Sequence, residues 1–508
     1  MTQGAMGNLI NRYRAVLRKC RVKNAMNRIV LAGALLAAPL FAEGLSSVTG
    51  GTGTVWAATY SLDNQANDFA HTGAPQSDDA ESSGLTGTVG TEHAGDFIYG
   101  GLATTPSSQS YNSIASGNNL TIEGDSSTSF SKTAIAGYAS NGGSGSSTAS
   151  NNVLTVTNAL FDNNGAYITQ TGIVGGMADF QSGDVLGKDA IADNNTVIVQ
   201  GEGSKVRIRV LGAHASHNDY SQTVGIARAN GNSVDIRDGA WVIGAVLGAE
   251  AIGDRELEEG YAEANGNTVK ISNATIGEVD GSTARNPVTG ASVNAMRVQN
   301  SYGNTVEISG SVLTGGHAQE DSKSYVLALS IIAGADPVST RDNIVRFSDS
   351  EIDGYVSGTY LETHGGSAEA SGTRVTVQGS KVGGDVKGDF VSSTGGDAIA
   401  QGGSVSVLNN STVGGIITGA FTAVVGTISA DSRASGNTLT IENSKVGSYV
   451  YGGLAMNWSD GIAEASGNTL DLKNVNALSL IMPSFAQNNG SGKAVAEGNT
   501  VTSQGGTL

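Results

Sequence analysis

Short bursts of alternating apolar and polar residues recur along most of this chain, and each burst opens on the same signature. Ala434-Ser435-Gly436-Asn437-Thr438-Leu439-Thr440-Ile441 is one copy, and Ala465–Leu472, Ala264–Ile271 and Ala229–Ile236 repeat its shape. The anchor residue falls at 118, 152, 195, 232, 267, 304, 343, 373, 403, 437, 468 and 499, and it is Asn except at Thr373 and Gly403. Three positions earlier the residue is Ala except at Ser301 and Thr340. Two and four positions after the anchor the residues are apolar, as in Leu120/Ile122, Val306/Ile308 and Val405/Val407, with mostly polar residues between; only the last copy departs, with Ser503 in the fourth place. A period of two predicts a strand with one buried face. The anchor Asn is expected to take the left-handed conformation that turns the chain into that strand.

A second strand is expected after the first, across Val382 to Val386, Ile352 to Val356, Val413 to Ile417 and Val446 to Val450. In it Gly384, Gly354, Gly415 or Ser448 would face inward at a narrow point. A single repeat cannot bury its own apolar face, so copies must stack, each with a neighbour above and below. Four inward aliphatics per copy, at roughly 1.5–3 kcal/mol each, would drive the stacking. Stacking would also align the anchors, and an amide ladder through residues such as Asn437 is expected.

The predicted fold is all-β: an elongated parallel β-helix, or β-solenoid, of stacked repeats over residues 115–508. Residues 58–114 read as a capping or irregular region and 1–57 as a leader, with no compact second domain. Residues 251–263 and 277–294 read as charged loops extruded from the solenoid, where binding would reside.

Composition narrows the class. Glycine is abundant, at 73 of 508 residues, yet without the Gly-X-Y period of collagen, and 39% hydrophobic residues are too many for a disordered chain. Seven of the 28 basic residues lie within residues 1–42, where there is no acid; the rest of the chain holds 21 basic against 46 acidic residues, a net charge of −25. Such a surface repels phosphate backbones, and nucleic-acid binding is not expected. The single cysteine, Cys20, sits in the basic leader, which suits a chain that must thread membranes unfolded.

The leader carries an apolar run from Ile29 to Ala42, shorter than the ~20 residues of a spanning helix and preceded by positive charge. It reads as a secretory signal peptide starting at Met1 or Met26 and cleaved after Ala42 or Ala57; an N-terminal anchor helix is the alternative. The opening Asn11-Arg12-Tyr13-Arg14-Ala15-Val16 resembles the extended signal region of autotransporters.

The repeats point further the same way. Ala-x-Gly-Asn-Thr-Val-x-Ile followed by Val-x-Gly-x-Val-x-Gly-Gly, and the stretch Tyr449-Val450-Tyr451-Gly452-Gly453, resemble passenger regions of type V secretion autotransporters, adhesin-like ones among them. The resemblance covers residues 115–503. It implies a right-handed coil displayed outside a Gram-negative cell, at the cell surface or outer membrane or released, and periplasmic without a transporter. It also implies export machinery and an outer-membrane barrel. No barrel pattern occurs in this sequence, which closes on the partial repeat Asn499–Leu508, so the chain reads as a passenger truncated ahead of its barrel or anchored otherwise.

Candidate chemistry is sparse. His214 and His217 with Asp219 have a spacing that could ligate a metal, but a polar loop is the simpler reading. Asp385 and Asp389 could form a glycosidase pair, yet solvated outer-face residues are the simpler reading. Tyr449, Tyr451 and Trp458 could stack on sugars, although filling the narrow core or its edge explains them as well. No catalytic residue, cofactor site or metal site is assigned. The expected function is a surface passenger acting as adhesin or structural stalk, with host or cell-surface glycans or proteins as partners. A polysaccharide-processing β-helix enzyme and a non-functional fragment of a longer autotransporter are the alternatives.

Overall fold

The computed structural model describes residues 58–60 and 80–507, apart from 92–96, 106–110, 131–132, 143, 163–171, 181–188, 218–224, 254–260, 278–286, 299–300, 315–323, 335, 427–428 and 478–479. The leader, Cys20 and Asp219 lie outside the described residues. Every element among the described residues is a strand. All but the first of them stack in parallel as a β-solenoid in which each repeat makes one coil. Leu120 pairs with Leu154, Leu154 with Val197 and Val197 with Val234, and the same register continues through Leu439, Leu470 and Val501.

A coil has three faces. The five-residue strand after the anchor, such as Thr268–Ser272, lies on the first, together with a short strand such as Thr275–Gly277. These strands form a 23-stranded sheet. A long strand of up to nine residues, such as Tyr355–Thr363, belongs to a 13-stranded sheet on the second face. Short strands such as Ser432–Ser435 return along the third face in two seven-stranded sheets, between which residues 299–300 lie outside the described residues.

The interior tapers. Val, Ile, Leu and Phe fill the wide end between the first face and the start of the long strand. The narrow end is filled largely by alanine, including Ala115, Ala149, Ala229 and Ala434, all fully buried. The alanine three positions before the anchor is therefore a size restriction at the acute corner.

The amide ladder is present. Asn195 Nδ2 donates to Asn232 Oδ1 (3.0 Å) and to Ala149 O (2.9 Å), while its Oδ1 accepts from the backbone N–H (3.0 Å) and Nδ2 (2.9 Å) of Asn152. Both amide protons and both oxygen lone pairs are thus used, which a buried carboxamide requires. The ladder runs from Asn118 to Asn343, stops at Thr373 and Gly403, and resumes from Asn437 through Asn468 to Asn499. The left-handed turn falls on the residue before the anchor, not on the anchor itself. Gly266 has φ +62°, and where glycine is absent Asn194 and Asp342 take +57° and +56°. Asn and Asp tolerate that conformation through local hydrogen bonds.

Three further expectations change. The second strand is a corner: Lys381–Val382 ends on the first face, the chain turns at 383–385, and Val386–Ser393 begins the long face. Glycine is needed there because neighbouring coils nearly touch; a Cβ on Gly354 would lie 1.5 Å from Ser324 O. The solenoid also starts before residue 115. Ala80–Glu81, Thr86–Val89 and Phe97–Thr105 pair in register with the next coil, and Ala58–Tyr60 adds antiparallel to Phe97–Tyr99 at the exposed edge. Finally, the flanks of the two expected loops, Ala251–Ile252, Tyr261–Glu263 and Pro287–Asn294, are strand, because the alternation of inward residues continues through these flanks, while 254–260 and 278–286 lie outside the described residues.

Candidate functional site

Parallel stacking turns every sequence position into a column, so surface chemistry is set by what three or four successive coils place side by side. The long face shows this best. Its outer side carries apolar residues at the N-terminal end (Ile135, Tyr138, Val174, Leu211, Leu247) and a cluster rich in aromatics at the C-terminal end (Phe421 and Tyr451 with Leu454). Farther along the same strands as the first group lies a polar network. His214 Nδ1 lies 3.0 Å from Glu250 Oε2, Arg209 donates to the same oxygen at 2.8 Å, and Asp179 Oδ1 is 3.8 Å from His214 Nε2. Tyr138 donates to Asp179 Oδ2 at 3.4 Å.

Burial would raise the Glu250 pKa, but Arg209 and His214 outweigh it and hold the carboxyl well below its usual range. Burial works against protonated His214, yet Glu250 and Asp179 push its pKa up overall. Asp179 moves up, chiefly because it is buried. The result is a paired charge cluster that satisfies its own groups.

The sequence candidates resolve as follows. His214 spends its ring nitrogens on Glu250 and Asp179, the arrangement of an ion-pair network. It therefore stands in a strand rather than in a loop, and His217 closes the same strand, Arg209–His217. Among the described residues no group of three or more His, Cys, Asp or Glu converges as a metal site. Asp385 and Asp389 do not face one cleft. Asp385 sits at the corner, accepting from Ile416 N (2.8 Å) and pairing with Lys387 Nζ (2.9 Å). Asp389, expected on the solvated outer face, is completely buried inside the coil, because it follows Val386 by an odd number of positions across a glycine that shifts the alternation. Tyr451 is buried with Phe421 and Met456, and Tyr449 and Trp458 pack against that cluster. The cluster lies on the outer side of the long sheet, since Val450 next door points into the core.

A surface groove of about 340 Å³ lies on the third face. Tyr302, Ser339, Arg341, Glu369 and Ser371 line it, with Thr340. Strand pairing sets Tyr302 against Arg341 and Arg341 against Ser371. Tyr302 is 42% exposed, and the Arg341 guanidinium stands 5.1 Å from its ring centroid. Glu369 accepts from Gln401 Nε2 at 2.6 Å. An exposed ring beside a guanidinium, a carboxylate and hydroxyls can stack on a flat polar ligand and hydrogen-bond its rim. Sequence reading missed this groove: Tyr302 and Arg341 are 39 positions apart, and only the column at Ser301 and Thr340, where alanine is replaced twice in succession, signals it.

No family model matches the chain, and no curated protein or solved structure was found to be similar to it.

Proposed function

We propose that this chain is an exported passenger of the type V secretion class, working outside the cell as a stalk that carries an adhesive surface and acting by binding rather than by catalysis. The observation that supports this most is the unbroken register from the first coil to Val501. It makes a long, continuously bonded rod from a chain free of cysteine after residue 20. The signal-like leader and the acidic body fit the same reading. The groove at Tyr302 is its candidate contact. Given the net charge of the body, neutral glycans or basic protein segments suit it better than acidic sugars.

The reading is tested by expressing the full chain with its own leader in a Gram-negative host. Surface labelling of intact cells and binding to host cells or a glycan array are then measured. Labelling together with binding supports the proposal. A chain that stays inaccessible to the label and binds nothing on the array when purified overturns it.

A further inference from the structure

The amide ladder is interrupted at two consecutive anchors, Thr373 and Gly403, and in both coils the neighbouring long strand compensates. The inward column that holds Gly176, Ala213, Ala249, Ala291 and Leu329 becomes Thr359 and then Asp389 before returning to Ala420. The Thr359 hydroxyl meets the Thr373 hydroxyl at 3.2 Å and receives Asn343 Nδ2 at 3.3 Å, so the first gap is bridged.

The second gap is different. In a regular coil the anchor Nδ2 donates to the next anchor's Oδ1. At Gly403 that donor is missing, and Asn437 Oδ1 keeps only the Gly403 backbone N–H at 3.1 Å. A Cβ built on Gly403 would lie 3.3 Å from each of Asp389 Oδ2, Asn437 Oδ1 and Thr373 O. Three oxygens thus surround one spot. Asp389 is 0% exposed, and neither of its carboxylate oxygens makes a hydrogen bond of good geometry, although the Thr359 and Thr373 hydroxyls stand close enough to favour its charged form.

A buried carboxylate facing two other acceptors is costly, whereas a carboxylic acid there supplies the donor that the missing carboxamide would have supplied. We propose that Asp389 is held as a neutral acid in the folded solenoid, and that its proton completes the interrupted ladder, making the coils between Thr359 and Asn437 a joint that weakens as pH rises.

Burial raises the Asp389 pKa to about 6, against smaller opposing contributions from the Thr373 and Thr359 hydroxyls. The inward positions packed around it are Thr359 and Ala420 on the adjoining long strands, Thr373 and Gly403 at the corner, and Ala370 and Ala400 on the third face. None of these titrates. The charged residues on the same strands, Glu362, Lys387, Arg374 and Glu369, alternate to the outer side. The folded-state pKa lies above that of an unfolded Asp. The stabilisation is therefore complete below about pH 4 and is lost as pH rises through about 6, an effect on the order of 100-fold in the folding equilibrium.

The test compares urea midpoints of the full chain and Asp389→Asn from pH 4.5 to 7.5. Asn keeps the shape and a permanent donor. The expected result is a wild-type midpoint that falls relative to the variant as pH rises, with the variant the more stable at pH 7.5. Parallel profiles overturn the proposal. Should Asp389→Asn fail to fold, the double substitution Asp389→Ala with Gly403→Asn restores the column found at Ala420 and Asn437. It should then fold and lack the wild-type pH dependence, and a rebuilt ladder that keeps that dependence also overturns the proposal.

Discussion

Replacing Asn267 with alanine tests the ladder where it is most complete. Its side chain makes four hydrogen bonds: Nδ2 donates to Asn304 Oδ1 (3.0 Å) and Ala229 O (2.9 Å), and Oδ1 accepts from Asn232 N (2.9 Å) and Asn232 Nδ2 (3.0 Å). The residue is fully buried, so no water replaces these partners. At a net value of about 1 kcal/mol per bond, and with up to 1–3 kcal/mol for each polar group stranded in the interior, the loss is about 3–5 kcal/mol. In a stacked array that loss falls on the coil and its two neighbours rather than on the whole rod. Native-state hydrogen exchange is the suitable assay. The Asn232 amide, which donates to Asn267 Oδ1, should exchange at least about 100-fold faster, since each 1.4 kcal/mol is a factor of about ten. Asn437→Ala should cost less. It heads the second ladder segment, and its bonds are to Asn468 Oδ1 (3.0 Å), Gly403 N (3.1 Å) and, weakly, Ala400 O (3.4 Å). Unchanged protection at Asn232 in Asn267→Ala, with an unchanged thermal midpoint, would refute the ladder as a source of stability.

Tyr302→Ala should weaken binding of a neutral oligosaccharide about tenfold while leaving the melting temperature unchanged, because the ring is exposed; calorimetry and a thermal melt read both. Glu250→Gln should cost about 2–4 kcal/mol by chemical denaturation, because it removes the negative charge that Arg209 and His214 share, and it should lower the His214 pKa seen by NMR. Since the wild-type His214 pKa lies above its unfolded value, its stabilising contribution is present below the ordinary histidine range and fades as pH climbs through the raised pKa. Gly354→Ala should cost about 2–3 kcal/mol or prevent folding, since the added methyl meets Ser324 O; a normal urea midpoint would show that the corner can open.

What the sequence made legible was whatever repeats at short range. The five-residue strand, its inward Val/Leu/Ile pair, the anchor and the alanine before it are all visible within eight residues of one another, and stacking turns each into a column. The corner at 383–385 was read as strand because apolar residues four apart fit an extended segment as well as they fit two faces meeting at a turn. Position along the chain does not encode a change of face. The His214 network escaped for another reason: Asp179, His214 and Glu250 come from three coils and become neighbours only once register is known. The serine column between the two strands of the first face escaped too, although it carries a signal. Ser311, Ser350, Ser380 and Ser411 each stand two residues before an inward aliphatic, and the backbone N–H of each of the first three donates to the next hydroxyl (3.0, 3.1 and 3.2 Å).

The repeated columns and the departures from them have different roles. A column of Asn, Ser or Ala acts as a register lock. Sliding one coil by a single residue would push larger side chains into the alanine corner and strand a carboxamide from both partners, so wrong stackings cost several kcal/mol at once. That constraint leaves little freedom inside the rod, and specific properties must arise where the repeat is broken. Two breaks stand out. On the third face, buried Ser301 and Thr340 replace alanine, and the groove with Tyr302 and Arg341 lies beside them. Inside, Thr373 and Gly403 replace asparagine, and Thr359 and Asp389 move in from the next strand. The two are separable by design. Restoring alanine at 301 and 340 should alter binding at the groove while leaving the pH dependence of unfolding as it is. Rebuilding the ladder at 389 and 403 should remove that pH dependence while leaving the groove's binding intact. A crossed result, with binding following the ladder or pH dependence following the groove, would mean that the coils do not act as nearest-neighbour units.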